Sequence, residues 1–149
     1  MSRQTIVVNS PPQEIYDILS DPPVYEMWVV GTKCIRSYDK SWPAPGSEFH
    51  HKVGFGPLAT KDKTVSLEAE PLHRLVMLVR AFPFIQATVA FTLEEDGSGT
   101  RVTIEEHPRG DPWEKLWNPV LDLLTGLRNA ETLRRLKRLA EMRAGVVTH

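Results

Sequence analysis

Cysteine is nearly absent from this chain of 149 residues: Cys34 stands alone, so no disulfide forms within the chain and a reducing compartment fits. Charge of either sign is not in surplus. The 18 Lys and Arg against 19 Asp and Glu leave a formal charge of -1, so no global field recruits nucleic acid or an anionic membrane. No apolar run approaches the roughly 20 residues of a membrane-spanning helix. The opening stretch, MSRQTIVVNSPP, leads straight into an alternating strand and lacks the continuous apolar core of a signal peptide. A soluble, cytoplasmic protein is the expectation. Several motifs are missing as well. Without CxxC, HExxH or companions for His50-His51, neither a metal nor another cofactor is expected. There is no GxSxG, and Gly54-Phe55-Gly56 is neither a dinucleotide nor a phosphate loop in its context. Internal repeats and low-complexity tracts are absent too.

What is present is ordinary in amount and informative in order. An apolar fraction of 41% and a charged fraction of 25% suit one soluble domain over residues 1–149. A chain of this length buries about 68–70% of its unfolded surface. Thr5 to Asn9 alternates as a strand, and Ser10 is placed to cap a short helix with Pro11 or Pro12 in its first turn. Pro22 and Pro23 stop that helix, and Tyr25, Met27 and Trp28 suit a second short helix or turn. Strands are then expected over Thr32–Tyr38, Glu48–Phe55, Lys61–Glu70, Arg74–Ala81, Phe84–Glu94 and Thr100–His107. Glu95-Asp96-Gly97-Ser98-Gly99 reads as a hairpin turn. Short turns make the neighbours antiparallel, and one helical layer on such a sheet is an α+β fold. Its outer face would carry Thr88, Thr92, Thr103 and Glu105, opposite Val89, Phe91, Leu93, Val102 and Ile104.

The last third is the only stretch long enough for a long helix. From Pro119 to Ala144 it would run about 39 Å. Asn118 suits the N-cap, Pro119 the first position and Gly145 the end. Leu116, Trp117, Val120, Leu124 and Leu127 share one face. Beyond Leu127 the apolar residues recur at Ala130, Leu133, Leu136 and Ala140, and steps of three rotate that stripe toward the opposite side. Two arrangements satisfy the pattern: a helix crossing a strongly twisted sheet, or one that bends near Gly126 and buries different faces in its two halves. In the second, the C-terminal half clamps the sheet and Trp113 to Leu127 roofs a cavity.

Several short stretches carry a resemblance. These are Ser20-Asp21-Pro22 with Trp28, the Trp42-Pro43…Pro45-Gly46 turn, Phe49-His50-His51, Val53-Gly54-Phe55-Gly56-Pro57-Leu58, Glu70-Pro71, Gly99-Thr100-Arg101-Val102-Thr103 and Arg128-Asn129-Ala130-Glu131-Thr132-Leu133. Together they span nearly the whole chain and resemble the START-like (SRPBCC) superfamily, within it the polyketide cyclase/dehydrase-like proteins. None of them is a catalytic signature. The resemblance implies a helix-grip fold: a curved antiparallel sheet of six or seven strands around a long C-terminal helix, with two short helices after the first strand. It also implies a pocket between sheet and helix for a lipid, a polyketide or another hydrophobic molecule. Carriers, regulators and enzymes share this fold, so the fold alone does not choose among them.

Two residues stand out for chemistry. His51 alternates with Phe49, Val53 and Phe55, so it points inward, either as a general base or as a core histidine satisfied by a backbone carbonyl. Glu106 continues the inward series Val102, Ile104 at a strand's end. A carboxylate in apolar surroundings holds its proton more tightly and could pass it to a ligand, or Glu106 could pair with an arginine such as Arg80. Arg80 is placed either outside the inward series Leu75, Met77, Val79 or inside it as the pocket's cation. Asn129 shares the azimuth of Leu133, Leu136 and Ala140 and could bind a ligand carbonyl or brace the sheet. Tyr25, Trp28, Trp113, Trp117 and Phe82 could grip an apolar ligand, with Phe49, Phe55, Phe91, Val120 and Leu124 completing the wall; equally, such aromatics could be core. The expectation is a binding protein for a small hydrophobic molecule, with a polyketide aromatase/cyclase or dehydratase as the alternative. A third reading is a protein-interaction module using the apolar N-terminal half of the long helix. No nucleic acid and no stable membrane insertion are expected, and a homodimer is compatible with the sequence.

Overall fold

Alternation writes the sheet. In the computed structural model, which describes residues 1–30, 32–53, 60–81, 85–110 and 113–145, seven strands form: β1 (Ser2–Val8), β2 (Thr32–Tyr38), β3 (Glu48–Val53), β4 (Thr60–Glu70), β5 (Arg74–Ala81), β6 (Ile85–Asp96) and β7 (Gly99–Pro108). They make one antiparallel sheet in the order β1-β7-β6-β5-β4-β3-β2. Every pairing after the first crossover is between chain neighbours, as short turns require. The first strand instead closes against the last, Ser2 opposite Glu106 and Val8 opposite Thr100. The tight β6–β7 hairpin turns at Gly97 in the left-handed region (φ 62°). At Gly99 a side chain would run into the Val8 carbonyl, so only glycine lets β1 lie this close.

Between β1 and β2 come α1 (Pro12–Leu19), a 3-10 turn (Pro22–Val24) and α2 (Tyr25–Trp28). Ser10 does not cap α1. Pro11 occupies the cap position and no side chain bonds to the helix start, because Ser10 is buried against β7, where its carbonyl accepts from Thr100 Oγ1 (2.8 Å). Ile15, Ile18 and Leu19 are fully buried. The Leu19 carbonyl accepts from both Tyr25 Oη (2.6 Å) and Trp42 Nε1 (2.9 Å), which ties α1, α2 and the β2–β3 turn together. The rings of Tyr25, Trp28, Trp42, Phe49 and Phe91 then pack tilted or edge-on at centroid spacings of 4.7 to 6.4 Å. Each such pair contributes about 0.5–1.5 kcal/mol beyond its burial.

After α3 (Trp113–Leu116) the long helix α4 runs unbroken over Pro119–Arg143. Asn118 Oδ1 accepts from the amides of Val120 (2.9 Å) and Leu121 (3.0 Å), and Pro119 opens the first turn. The residues α4 buries are Thr125, Gly126, Asn129, Thr132, Leu133, Leu136, Ala140 and Glu141. Apart from Glu141 they recur at about 3.6 residues, a single straight stripe. Of the two arrangements that the azimuths allow, the one with halves burying different faces does not form. Val120, Leu123, Leu124 and Leu127 are each more than half exposed and point away from the sheet. Small residues take their place on the buried side. A Cβ on Gly126 would come within 3.0 Å of Gln4 Nε2 and 3.3 Å of Ser2 Oγ, so the helix rests directly on β1 there. At the far end Glu141, 1% exposed, accepts from Lys137 Nζ (2.6 Å) and the Asn9 amide (3.3 Å). No helix of the described residues is long and apolar enough to cross a membrane.

Candidate functional site

The inward rows of five strands meet α2 and the middle of α4 around a cavity of about 300 Å³. Its floor is apolar: Met77 and Val79 from β5, Ala87, Val89 and Phe91 from β6, and Ile104 from β7. This settles the register of β5. Leu75, Met77 and Val79 face in, while Arg80 is exposed and does not reach the cavity. Tyr25, Trp28, Val29 and Val30 close one end together with Phe49. Burial pushes the Tyr25 phenol well above its usual range, so it stays protonated as a donor to Leu19.

Polar side chains enter from two sides. On β3, His51 is 3% exposed; its Nε2 pairs with Thr64 Oγ1 of β4 (3.0 Å), and its Nδ1 has no partner among the described residues. The partner of Nε2 is a threonine hydroxyl and not a backbone carbonyl. Burial lowers the His51 pKa to about 4, with His50 and Arg36 adding to the shift and Asp62 opposing it. Asp62 lies directly across from His51 in the β3–β4 register and is itself buried. Asp62 and Thr64 were not singled out from the sequence. Their signal was the alternation Asp62, Thr64, Ser66 along β4, which places three polar residues on the inner face.

From the other side Glu106 of β7 accepts from Arg128 Nη2 (2.5 Å) and Asn129 Nδ2 (3.3 Å) of α4. Glu106 is buried and Arg128 about half exposed, so the pair reaches from the cavity wall to solvent. The ion pair anticipated for Glu106 exists with Arg128, one helical residue before Asn129, and not with Arg80. A buried carboxylate without a cation would cost several kcal/mol, which gives Arg128 its structural reason. Thr132 completes the α4 wall and accepts from the Val30 amide (3.2 Å), joining the helix to the end of α2.

Of the candidates from sequence, His51, Glu106, Tyr25, Trp28, Phe49, Phe91 and Asn129 meet at this one cavity, whereas Arg80, Trp117, Val120 and Leu124 do not line it. Trp117 is half-buried and donates through Nε1 to Asp122 Oδ1 (3.1 Å). Val120 and Leu124 are 65% and 56% exposed, because the face that reaches the sheet belongs to Thr125, Gly126 and Asn129. Phe55, Phe82 and the side chain of Trp113 lie outside the described residues. Among the described residues no group of three His, Cys, Asp or Glu could hold a metal ion.

Comparison with known proteins agrees with this architecture. Residues 2–141 match the family described as polyketide cyclase / dehydrase and lipid transport. No curated protein sequence matches. Among solved structures, protein CV1439 from Chromobacterium violaceum superposes with a TM-score of 0.71 at 18% identity, over 93% of this chain and 96% of that one. The di-domain ARO/CYC StfQ from the steffimycin biosynthetic pathway gives 0.73 at 15% identity, over 97% of this chain and 51% of its own. Ara h 8.0201 gives 0.71 at 8% identity, over 93% of this chain and 95% of that one. At these identities the likeness is one of fold.

Proposed function

Since the chain belongs to the polyketide cyclase / dehydrase and lipid transport family, we propose that it binds one small, largely apolar molecule between the sheet and α4, as a cytoplasmic carrier or receptor. The observation that carries this reading is the cavity itself: about 300 Å³, floored by aliphatic residues and walled by Tyr25, Trp28, Phe49 and Phe91. Protein interiors of ordinary packing leave few voids larger than a water molecule. A space this size lies at the lower end of small-molecule sites, which are mostly apolar with a few placed polar groups.

The polar groups favour binding over turnover. A general base should be free and poised near the working pH. Glu106 is engaged by Arg128 and Asn129, and His51 is held neutral far below neutral pH. One observation keeps the cyclase or dehydratase as a second reading: His51, Glu106 and Asn129 face one cavity from opposite walls. There Glu106 or His51 would take an α-proton and Asn129 would stabilise the enolate.

The uncharged fluorophore N-phenyl-1-naphthylamine tests the first reading. The protein is expected to bind it at one site with a blue-shifted, enhanced emission, and native mass spectrometry of the purified protein should show the same single occupancy. Absence of uptake for this and other apolar probes would reject the assignment. Glu106→Gln is expected to alter affinity; if it instead abolishes conversion of an enolisable aromatic polyketide mimic, the second reading replaces the first.

A further inference from the structure

Four large aliphatic side chains of α4 lie open to solvent. Val120, Leu123, Leu124 and Leu127 are each more than half exposed, and their spacing of i, i+3, i+4 and i+7 puts them on one face of the helix. None of the four lines the cavity, so a ligand held there does not cover them. Leu116 of α3, just ahead of the stripe, is more than half exposed as well. Single exposed leucines are ordinary, but a contiguous stripe is not. The four present roughly 400 Å² of apolar surface, a size at which a patch on a monomer is often functional.

The spacing is that of a seam between two packed helices. The charges at either end of the stripe say which helix fits it. Beyond Leu127 the same face carries Glu131, Arg134, Arg135 and Arg138. Arg134 (2.6 Å) and Arg135 (3.2 Å) share the single carboxylate of Glu131, and Arg138 is exposed with no ion-pair partner among the described residues. That end therefore holds surplus positive charge. At the other end Glu114 of α3 is exposed, and its carboxylate likewise has no ion-pair partner among the described residues. A surface of one sign would meet like charge at one end of this face. A second copy of the chain, turned antiparallel, meets opposite charge at both.

The register follows from the stripe. A two-fold axis between Leu123 and Leu124 sets Leu124 against the partner's Leu123 and Leu127 against the partner's Val120. Arg134 and Arg135 then run past the start of the partner's α4 toward its α3. Such a contact is isologous, the same surface answering itself. A standard interface buries about 800 Å² on each partner. The stripe supplies about half of that, and the flanking charged side chains extend it.

We propose that the outer face of α4 is the interface of a weak antiparallel homodimer, with Val120, Leu123, Leu124 and Leu127 at its centre and Arg134 and Arg135 facing the partner's Glu114. With so small an apolar centre the dissociation constant is about 10–100 μM. At the low micromolar concentrations of a melting experiment the chain is monomeric and the face is open.

Sedimentation velocity over about 5 to 500 μM protein tests this, the range spanning that dissociation constant. The wild type is expected to pass from monomer to dimer across the series. Leu124→Glu and Leu127→Glu, which place a charge in the centre, should each weaken association by at least about tenfold. Leu67→Glu, at an exposed leucine of β4, should leave it unchanged. Glu114→Arg should weaken it by about threefold at low salt and by less at high salt. A wild type that stays monomeric at every concentration, or a dimer that both leucine variants leave intact, would overturn the proposal. No effect of Glu114→Arg at low salt would overturn the antiparallel register. The same series with vesicles of phosphatidylcholine and phosphatidylglycerol separates the other occupant: a monomer that binds them, and loses them in Leu124→Glu, would give this face to a lipid surface instead.

Discussion

At the scale of single residues, the inner face of β3 and β4 combines hydrophobic burial with a titratable group. The folded pKa of His51, about 4, lies below its ordinary value of 6.5. Between those values the unfolded chain takes up a proton that the folded one refuses, so the linkage has a definite sign. Stability due to this site is fully present above pH 6.5 and falls as pH drops toward 4, by on the order of 3 kcal/mol across the whole window. Urea unfolding of the wild type and His51→Leu at steps across that window should show a steeper loss in the wild type. Parallel curves would mean that water reaches His51 in the folded state. The inward direction of His51 and Glu106 was readable from alternation with Phe49 and with Val102 and Ile104. Their partners were not. Thr64 and Arg128 come from other elements, and only the β3–β4 register and the azimuth of α4 bring them within bonding distance.

At the scale of elements, α4 shows how a hydrophobic pattern can mislead. Its two apolar stripes were legible, as was the fact that they lie nearly opposite one another. That both must be buried does not follow. The decisive signal is the run of small and polar residues Thr125, Gly126, Asn129 and Thr132, which continues the line of Leu133, Leu136 and Ala140 and lets the helix sit close to β1. Large leucines on that line would hold the helix off the strand. Substitutions on the two faces should therefore differ sharply. Leu136→Ala, which empties a fully buried site, should cost about 2–5 kcal/mol. Leu124→Ala, on the exposed face, should stay within about 0.5 kcal/mol. Thermal or denaturant melts of the two variants make the comparison, and similar losses would mean that the outer stripe is covered. Strand limits were easier to read, because period-two alternation and turn residues act locally, and the observed strands differ from those expected by at most a few residues at their ends.

At the scale of the whole molecule, element order and short turns were enough to imply an antiparallel sheet with one long helix. The pairing of β1 with β7 was not implied by any local rule, since those strands stand at opposite ends of the sequence. That closure brings β1 under α4 and aligns Ser2 with Glu106, so the cavity's charged corner depends on the longest-range contact in the sheet. The attachment of α4 is also uneven. Its last turns are fixed by Leu133, Leu136, Ala140 and the buried Glu141, and Lys137 Nζ holds the Val7 carbonyl (3.0 Å). Ahead of the seat at Gly126, residues 119–124 are mostly exposed, and the surface pair between the amino terminus and Asp122 (2.9 Å) ties them down. Mechanically this is a cantilever, clamped at Glu141 and loose at Pro119, with Arg128 and Asn129 partway along the beam. Amide hydrogen exchange should be faster over residues 121–124 than over residues 133–140, since local opening follows the density of buried contacts. Uniform protection along the helix would contradict this. A guest leaving past Arg128 and Asn129 would have to lift the helix from its seat at Gly126 as well, while the clamped turns kept their places.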